Sequence, residues 1–210
     1  SKQSLNEGDY AIFADGFGTF GENLTVYKYF EDSSRDIVTR VFDYKNSLGL
    51  LYQYTTLFLG MKMNNHEYKM LGYEAHIHEV INAKDFETLD MMASHAAGIR
   101  FEDLFELGLK DTDPIVNVNA LDFVKKQVFA SMELVCEHFK LSDDNLYQKR
   151  VVISYYVQAI VERVMVELVE SLAPKTLLVS GGLFYNVKLN NVLSKLVNQL
   201  CILPLAGDQG

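Results

Sequence analysis

The stretch "LLVSGGLFYNVKLNN", Leu177–Asn191, sets the reading of the whole chain. An apolar run ends in Gly181-Gly182, and a helical pattern follows at once. "TLLVS" (176–180) carries no polar alternation, as expected of a strand covered on both faces. A glycine pair at such a strand end lets a ligand approach the backbone, because no Cβ stands in the way and unusual φ values are tolerated. The helix start that follows offers unpaired N–H groups and partial positive charge. In open α/β sheets ligands bind beyond the carboxyl ends of strands. Asn186 and Asn190 are four apart and share one helix face, which could look into such a cleft. The same residues also fit a simple tight turn, and the motif alone leaves both readings open.

The elements on either side build an α/β layer. Upstream, Asn145–Leu172 is expected as a long helix with Ile153, Val157, Ile160, Val161, Val164 and Leu168 on one face, ended by Pro174. Gln158 and Glu162 fall outside that stripe and read as a solvated face. Downstream, Leu189, Val192, Leu193, Leu196, Val197 and Leu200 are expected on one helix, and "CILPL" (201–205) as a short buried strand. Helix, strand, helix and strand in that order argue for parallel pairing.

Near the start, "YAIFADGFGTFG" (10–21) is an apolar run that ends in a glycine turn, with Asp15 at the junction. "NLTVYKYF" and "DIVTRVFDY" are rich in β-branched and aromatic residues, and "EDSSRD" between them is turn chemistry. Three strands in two hairpins are expected. "SLGLLYQYTTLFLGM" (47–61) reads as a helix capped by Ser47. "HEYKMLG" is a short helical turn. Residues 73–118 read as short helices and loops, and Ala120–Phe139 as an amphipathic helix.

Two further strand ends add to the first. In "ADGFG" a carboxylate precedes Gly-x-Gly, which suits a metal-phosphate site or an Asp-Gly hairpin turn. In "PLAGDQG" (204–210) glycine follows a strand and Asp208 stands beside it. Should these ends meet at one sheet edge, they would form a nucleotide-metal cleft.

Composition narrows the classes. The chain has 210 residues, 49% of them hydrophobic, and a net charge of −9. That is enough for one core or two small ones. No basic cluster is long enough for non-specific nucleic-acid binding. The most apolar helix-like run, 151–172, is broken by Gln158, Glu162, Arg163 and Glu167, which argues against a membrane span. Cys136 and Cys201 lie far apart in apolar contexts, as buried thiols do in a reducing compartment. A cytoplasmic protein is expected, without a nucleic-acid or membrane partner. His76 and His78 would share a face on a strand but read as a surface loop, and His66 as a neighbour of a helix cap.

Taken together, these residues resemble the O-carbamoyltransferases of the nodulation-protein and cephamycin type. "ADGFG" is similar to the family's Asp-Gly-x-Gly strand end. Ser47, Leu48, Gly49, Tyr52, Thr56, Gly60, Glu67, Tyr68, Lys69 and Gly72 follow its Ser-Leu-Gly and Glu-Tyr-Lys stretch. "SGGLFYNVKLN" and "LPLAGDQG" match its two later motifs.

The resemblance implies an actin-like (ASKHA, ribonuclease H-like) nucleotide-binding domain over 1–210, incomplete, with a mostly helical insert at about 75–145. The family's upstream histidine motif and its C-terminal YrdC-like domain are expected outside the chain, so this piece alone is expected to be inactive. The implied activity is transfer of a carbamoyl group from carbamoyl-adenylate, made from carbamoyl phosphate and ATP, to a hydroxyl of a small molecule. Asp15 and Asp208 would be ligands of a divalent metal, with iron expected and magnesium or manganese as alternatives. Gly16, Gly18, Gly181, Gly182, Asn186 and Asn190 would line the nucleotide site together with Glu67 and Lys69. Asp15 and Lys69 would be catalytic. A homodimer is compatible with this picture. A sugar kinase, a threonylcarbamoyl transferase or a non-catalytic nucleotide-binding domain on the same fold are the alternatives. The family's Met-Gly-Leu-Ala-Pro-Tyr-Gly run stands here as "MLGYEAHI" (70–77).

Overall fold

The computed structural model describes residues 8–16, 18, 21–32, 34–42, 44–106 and 118–203. It divides into two compact units. One draws on Ser1–Gly49, Phe101–Val116 and Val164–Gly210, the other on Leu50–Arg100 and Asn117–Arg163.

The first unit is built on a mixed sheet of five strands. These are β1 (Tyr10–Ala14), β2 (Leu24–Tyr29), β3 (Arg35–Val41), β4 (Thr176–Ser180) and β5 (Gln199–Ile202). Their order is β3-β2-β1-β4-β5. β1, β2 and β3 form the two expected hairpins, with a register shift between Val26 and Tyr27. The β2–β3 turn is closed by Asp32, whose Oδ1 accepts from the Ser34 backbone N at 2.9 Å and from its hydroxyl. These bonds favour the ionised carboxylate and hold Asp32 below its ordinary pKa. β4 pairs parallel with both β1 and β5.

The long-range pairing of β1 with β4 is bolted at its start. Asp9, almost fully buried, accepts from the Thr176 backbone N at 3.2 Å. One sheet face carries Ile12, Ala14, Leu24, Val26, Leu177 and Val179, all buried. On the other face Ala11 is buried while Phe13 stays partly exposed, edge-on to Tyr27 with ring centroids 5.7 Å apart.

The second unit is helical. Its described elements come from α1 (Leu48–Phe58), α2 (Glu67–Glu74), α3 (Ile77–Val80), α4 (Ala83–Glu106), α5 (Val118–Phe139) and α6 (Leu146–Leu172). α1, α4 and α6 each give residues to both units. α5 buries Val124, Val128, Met132 and Val135, the stripe its periodicity predicts. The expected insert at about 75–145 overlaps this unit.

Several expectations are corrected by the structure. Residues 73–118 do not form only short helices and loops, because α4 runs for 24 residues. Its buried stripe is Leu89, Ala93 and Ala97, too small in side-chain volume to stand out as a hydrophobic pattern. The helix expected through Leu200 is shorter: α7 is Val187–Leu193, and Leu200 pairs with Leu177 in β5. That strand is the sheet's edge rather than buried, with Ile202 48% exposed.

Gln158 and Glu162 are not a solvated face. Gln158 is 1% exposed, accepts from the Tyr52 hydroxyl, and donates to Glu162 Oε1 at 2.6 Å. His76 and His78 are exposed, as expected of a surface segment, but lie in a turn and in α3 rather than in a loop. His76 precedes α3 and contacts Glu79 at 2.9 Å, while His78 packs on Phe86 with ring centroids 4.5 Å apart.

A second polar cluster ties α4 to α6 inside this unit. Asp90 Oδ1 accepts from Arg163 Nη2 and from the Tyr155 hydroxyl, both at 2.7 Å. Burial opposes ionisation of Asp90, but the two bonds and the guanidinium charge outweigh it and hold its pKa below the ordinary value. Burial, followed by the bond to Asp90, pushes the Tyr155 phenol well up. α1 ends under Arg150, whose Nε and Nη2 donate to the Leu59 carbonyl at 3.2 Å. That guanidinium satisfies a helix-end acceptor.

Candidate nucleotide site at the strand ends

β1 and β4 are parallel neighbours, so their carboxyl ends emerge side by side. From there the chain leaves in opposite directions along the sheet. β1 leads to β2 on one side, and β4 leads through α7 to β5 on the other. In open α/β sheets a divergence of this kind at the carboxyl ends is a topological switch point, the usual place for a ligand crevice.

The two ends are fitted to each other through glycine. Gly181 has φ +105°, and a Cβ placed on it would stand 2.2 Å from the Ala14 carbonyl oxygen. Only glycine takes that backbone without strain and leaves room for the approach. A Cβ on Gly182 would lie 3.1 Å from Asp15 Oδ1. The Asp15 carboxyl therefore stands directly against the Gly182 backbone.

The turn continues as a 3-10 segment over Gly182–Tyr185 that touches both β1 and β4. Asn186 caps α7 by accepting from the Leu189 backbone N at 2.9 Å. Asn190 is buried, and its Nδ2 donates to the Phe184 carbonyl at 2.7 Å. Its Oδ1 has no hydrogen-bond partner among the described residues. Asn190 thus braces the 3-10 turn, Asn186 caps the helix that follows it, and both residues are buried.

On the β1 side, Asp15 Oδ1 accepts from the Gly16 backbone N at 2.6 Å. The Asp15 backbone N donates to the Asn23 carbonyl at 3.0 Å and closes the hairpin loop. Gly18 belongs to that loop: its N donates to the Glu22 carbonyl at 2.9 Å, and a Cβ on it would meet the same oxygen at 2.5 Å.

The start of α1 meets the same turn. Ser47 Oγ donates to the Gly16 carbonyl at 2.8 Å. A Cβ on Gly49 would fall 2.4 Å from Gly16 Cα. Between these walls is a narrow recess lined by Asp15, Asn23, Asn46, Gly49, Leu168 and Leu183, with room for about one water molecule.

The structure thus brings Asp15, Gly16, Gly181, Gly182, Asn186 and Asn190 to one end of the sheet. Glu67 and Lys69 belong to the helical unit. Glu67 Oε1 accepts from the Asn64 backbone N at 2.5 Å in the turn before α2, and Lys69 is half-buried in the first turn of that helix. Asp208 lies outside the described residues. Among the described residues no three His, Cys, Asp or Glu side chains gather as a metal-binding group, and no helix is long and apolar enough to cross a membrane. Cys136 is half-buried and its thiol is pushed up by burial, as a packing residue's would be.

Sequence marks Ser47 as a helix cap and places Ser47 and Gly49 in the family's Ser-Leu-Gly stretch, without showing that they press on the Asp15-Gly16 turn. The signal for more was there: glycine in the first turn of a helix is unfavourable unless close packing requires it.

The mixed five-strand sheet and the helices around it define an α/β protein. Residues 7–210 match the family model described as the carbamoyltransferase N-terminus, and the chain belongs to that family. Among the curated proteins searched, none matches it.

Proposed function

We propose that this chain is the transfer domain of an O-carbamoyltransferase. It passes a carbamoyl group from carbamoyl-adenylate, made from carbamoyl phosphate and ATP, to a hydroxyl of a small molecule. The observation that carries the reading is the fit of Gly181-Gly182 against Ala14-Asp15 at a switch point, in a chain of the carbamoyltransferase family. The same arrangement supports an actin-like fold, with the nucleotide lying over the strand ends rather than inside the narrow recess.

In this reading the Gly181-Gly182 backbone and Gly16 let the adenylate's phosphate approach, and Asp15 borders it. The acceptor's hydroxyl oxygen forms a bond to the carbamoyl carbon. The bond from that carbon to the phosphate oxygen breaks, AMP leaves with the electron pair, and the hydroxyl proton passes to a base or solvent. Glu67 and Lys69 are proposed to bind the donor, with Lys69 contacting its anionic part.

A divalent cation, with iron expected and magnesium or manganese as alternatives, would polarise the carbamoyl carbonyl. Asp15 is proposed as one ligand and Asp208 as another. One carboxylate is too small a donor set to fix such an ion, so the remaining ligands would come from outside the described residues.

The test uses the longest natural protein that carries this chain, incubated with ATP, carbamoyl phosphate and a panel of sugars and other hydroxyl compounds. The expected products are AMP, pyrophosphate, the inorganic phosphate released from carbamoyl phosphate, and a carbamoylated acceptor. ADP with a phosphorylated sugar would instead make it a kinase, and binding without turnover would make it a non-catalytic nucleotide-binding domain.

A further inference from the structure

We propose that Ser47 and Gly49 are positioning residues that set the Asp15-Gly16 turn against Gly181-Gly182. The inference rests on the strand-end reading of the nucleotide site and assigns its third wall.

Three observations carry it. Ser47 is 1% exposed, and its hydroxyl has the Gly16 carbonyl as acceptor at 2.8 Å, 31 residues away in sequence. Gly49 has no room for a side chain: an added Cβ would stand 2.4 Å from Gly16 Cα, 2.5 Å from Gly16 N and 2.9 Å from the Asp15 carbonyl carbon. These neighbours are backbone atoms, which cannot swing aside as a flexible side chain can. The same segment also meets Gly181 at Ala14 and Gly182 at the Asp15 carboxyl.

The segment Ala14–Gly16 is therefore gauged from two directions, by the turn after β4 and by the start of α1. A shift imposed from α1 would carry the Asp15 carboxyl and the Gly16 backbone with it. Displacements well under 1 Å at a positioned group are enough to weaken ligand contacts. Ser47 and Gly49 act through Asp15 and Gly16 and need not touch the ligand.

The test is ATP affinity, measured by isothermal titration calorimetry with magnesium on the longest natural protein that carries this chain. Urea midpoints are measured alongside. Ser47→Thr and Ser47→Val add the same bulk, but only Thr keeps the hydroxyl. The Val variant is expected to bind ATP about three- to tenfold more weakly than the Thr variant. Gly49→Ala is expected to weaken binding at least tenfold. Gly98→Ala, where an added Cβ meets nothing within 4 Å, serves as the control and is expected to bind as wild type does.

Should Gly49→Ala fail to fold, the Thr and Val pair decides. Equal ATP affinity in that pair, with binding intact in the wild type, overturns the positioning role and leaves the strand-end site standing. No ATP binding by the wild type overturns both. A lower urea midpoint with unchanged affinity identifies Ser47 as a structural residue only and also overturns the proposal.

Discussion

Gly181 lies so close to Ala14 that a Cβ on it would stand 2.2 Å from the Ala14 carbonyl oxygen, and its φ is +105°. The contact joins two strands that are more than 160 residues apart in sequence and fixes the floor of the proposed site. Gly181→Ala combines backbone strain with overpacking. It is expected to destabilise the sheet unit by about 2–4 kcal/mol. Gly60 also has positive φ, +69°, but an added Cβ there meets nothing within 4 Å. Gly60→Ala should cost only the backbone term, about 1 kcal/mol. Urea unfolding of the two variants checks the ranking, and equal losses would show that the Ala14 approach is not tight.

Tyr52 and Gln158 are joined by a hydrogen bond within the helical unit, and Gln158 passes the connection to Glu162. Tyr52→Phe deletes one donor from this buried network. A loss of about 1–2 kcal/mol is expected in urea unfolding, larger than for removing an exposed tyrosine hydroxyl such as that of Tyr68. No loss would mean that the network contributes nothing to stability.

Asp90 is held below its ordinary pKa by Arg163 and Tyr155. A carboxylate whose folded pKa is depressed adds stability above its unfolded pKa and loses it as pH falls through the folded value. Asp90→Asn should therefore lower the melting temperature at pH 7. The gap to wild type should narrow below about pH 4 as the wild-type carboxylate protonates. Thermal melts from pH 7 to pH 2.5 measure this, and a gap that does not change with pH would contradict the ion-pair account.

Asn186 caps α7 through the Leu189 backbone N. Asn186→Ala is expected to cost about 0.5–2 kcal/mol, and Asn186→Asp should recover most of it because aspartate caps equally well. Hydrogen exchange at the Leu189 amide is the direct readout. Unchanged protection in the Ala variant would remove the cap from the account.

Where burial follows large apolar side chains, the sequence was legible. α5 and α6 were readable because Val, Ile, Leu and Met recur at helical spacing. α4 was not, since its buried stripe uses two alanines, Ala93 and Ala97. Its start was nonetheless marked by Asn82 and Asp85, which cap each other's turn: the Asp85 backbone N donates to Asn82 Oδ1 at 2.9 Å.

β5 escaped because Leu196 and Leu200 continue the helical spacing of α7. Only pairing with β4, a long-range event, turns Leu200 into a strand residue. Gln158 read as solvated because its partner, Tyr52, lies more than 100 residues away. At the site, Gly181-Gly182 and Asp15 were readable as strand-end signals. That Ser47 and Gly49 press on the same turn was not, because it depends on how α1 meets β1 in space.

The most direct test of the central claim is a crystal structure of the protein with a non-hydrolysable ATP analogue. The account predicts the phosphates over the carboxyl ends of β1 and β4, in contact with the Gly181-Gly182 backbone and beside Asp15. Phosphates bound anywhere else, with the Gly181-Gly182 turn uncontacted, would contradict it.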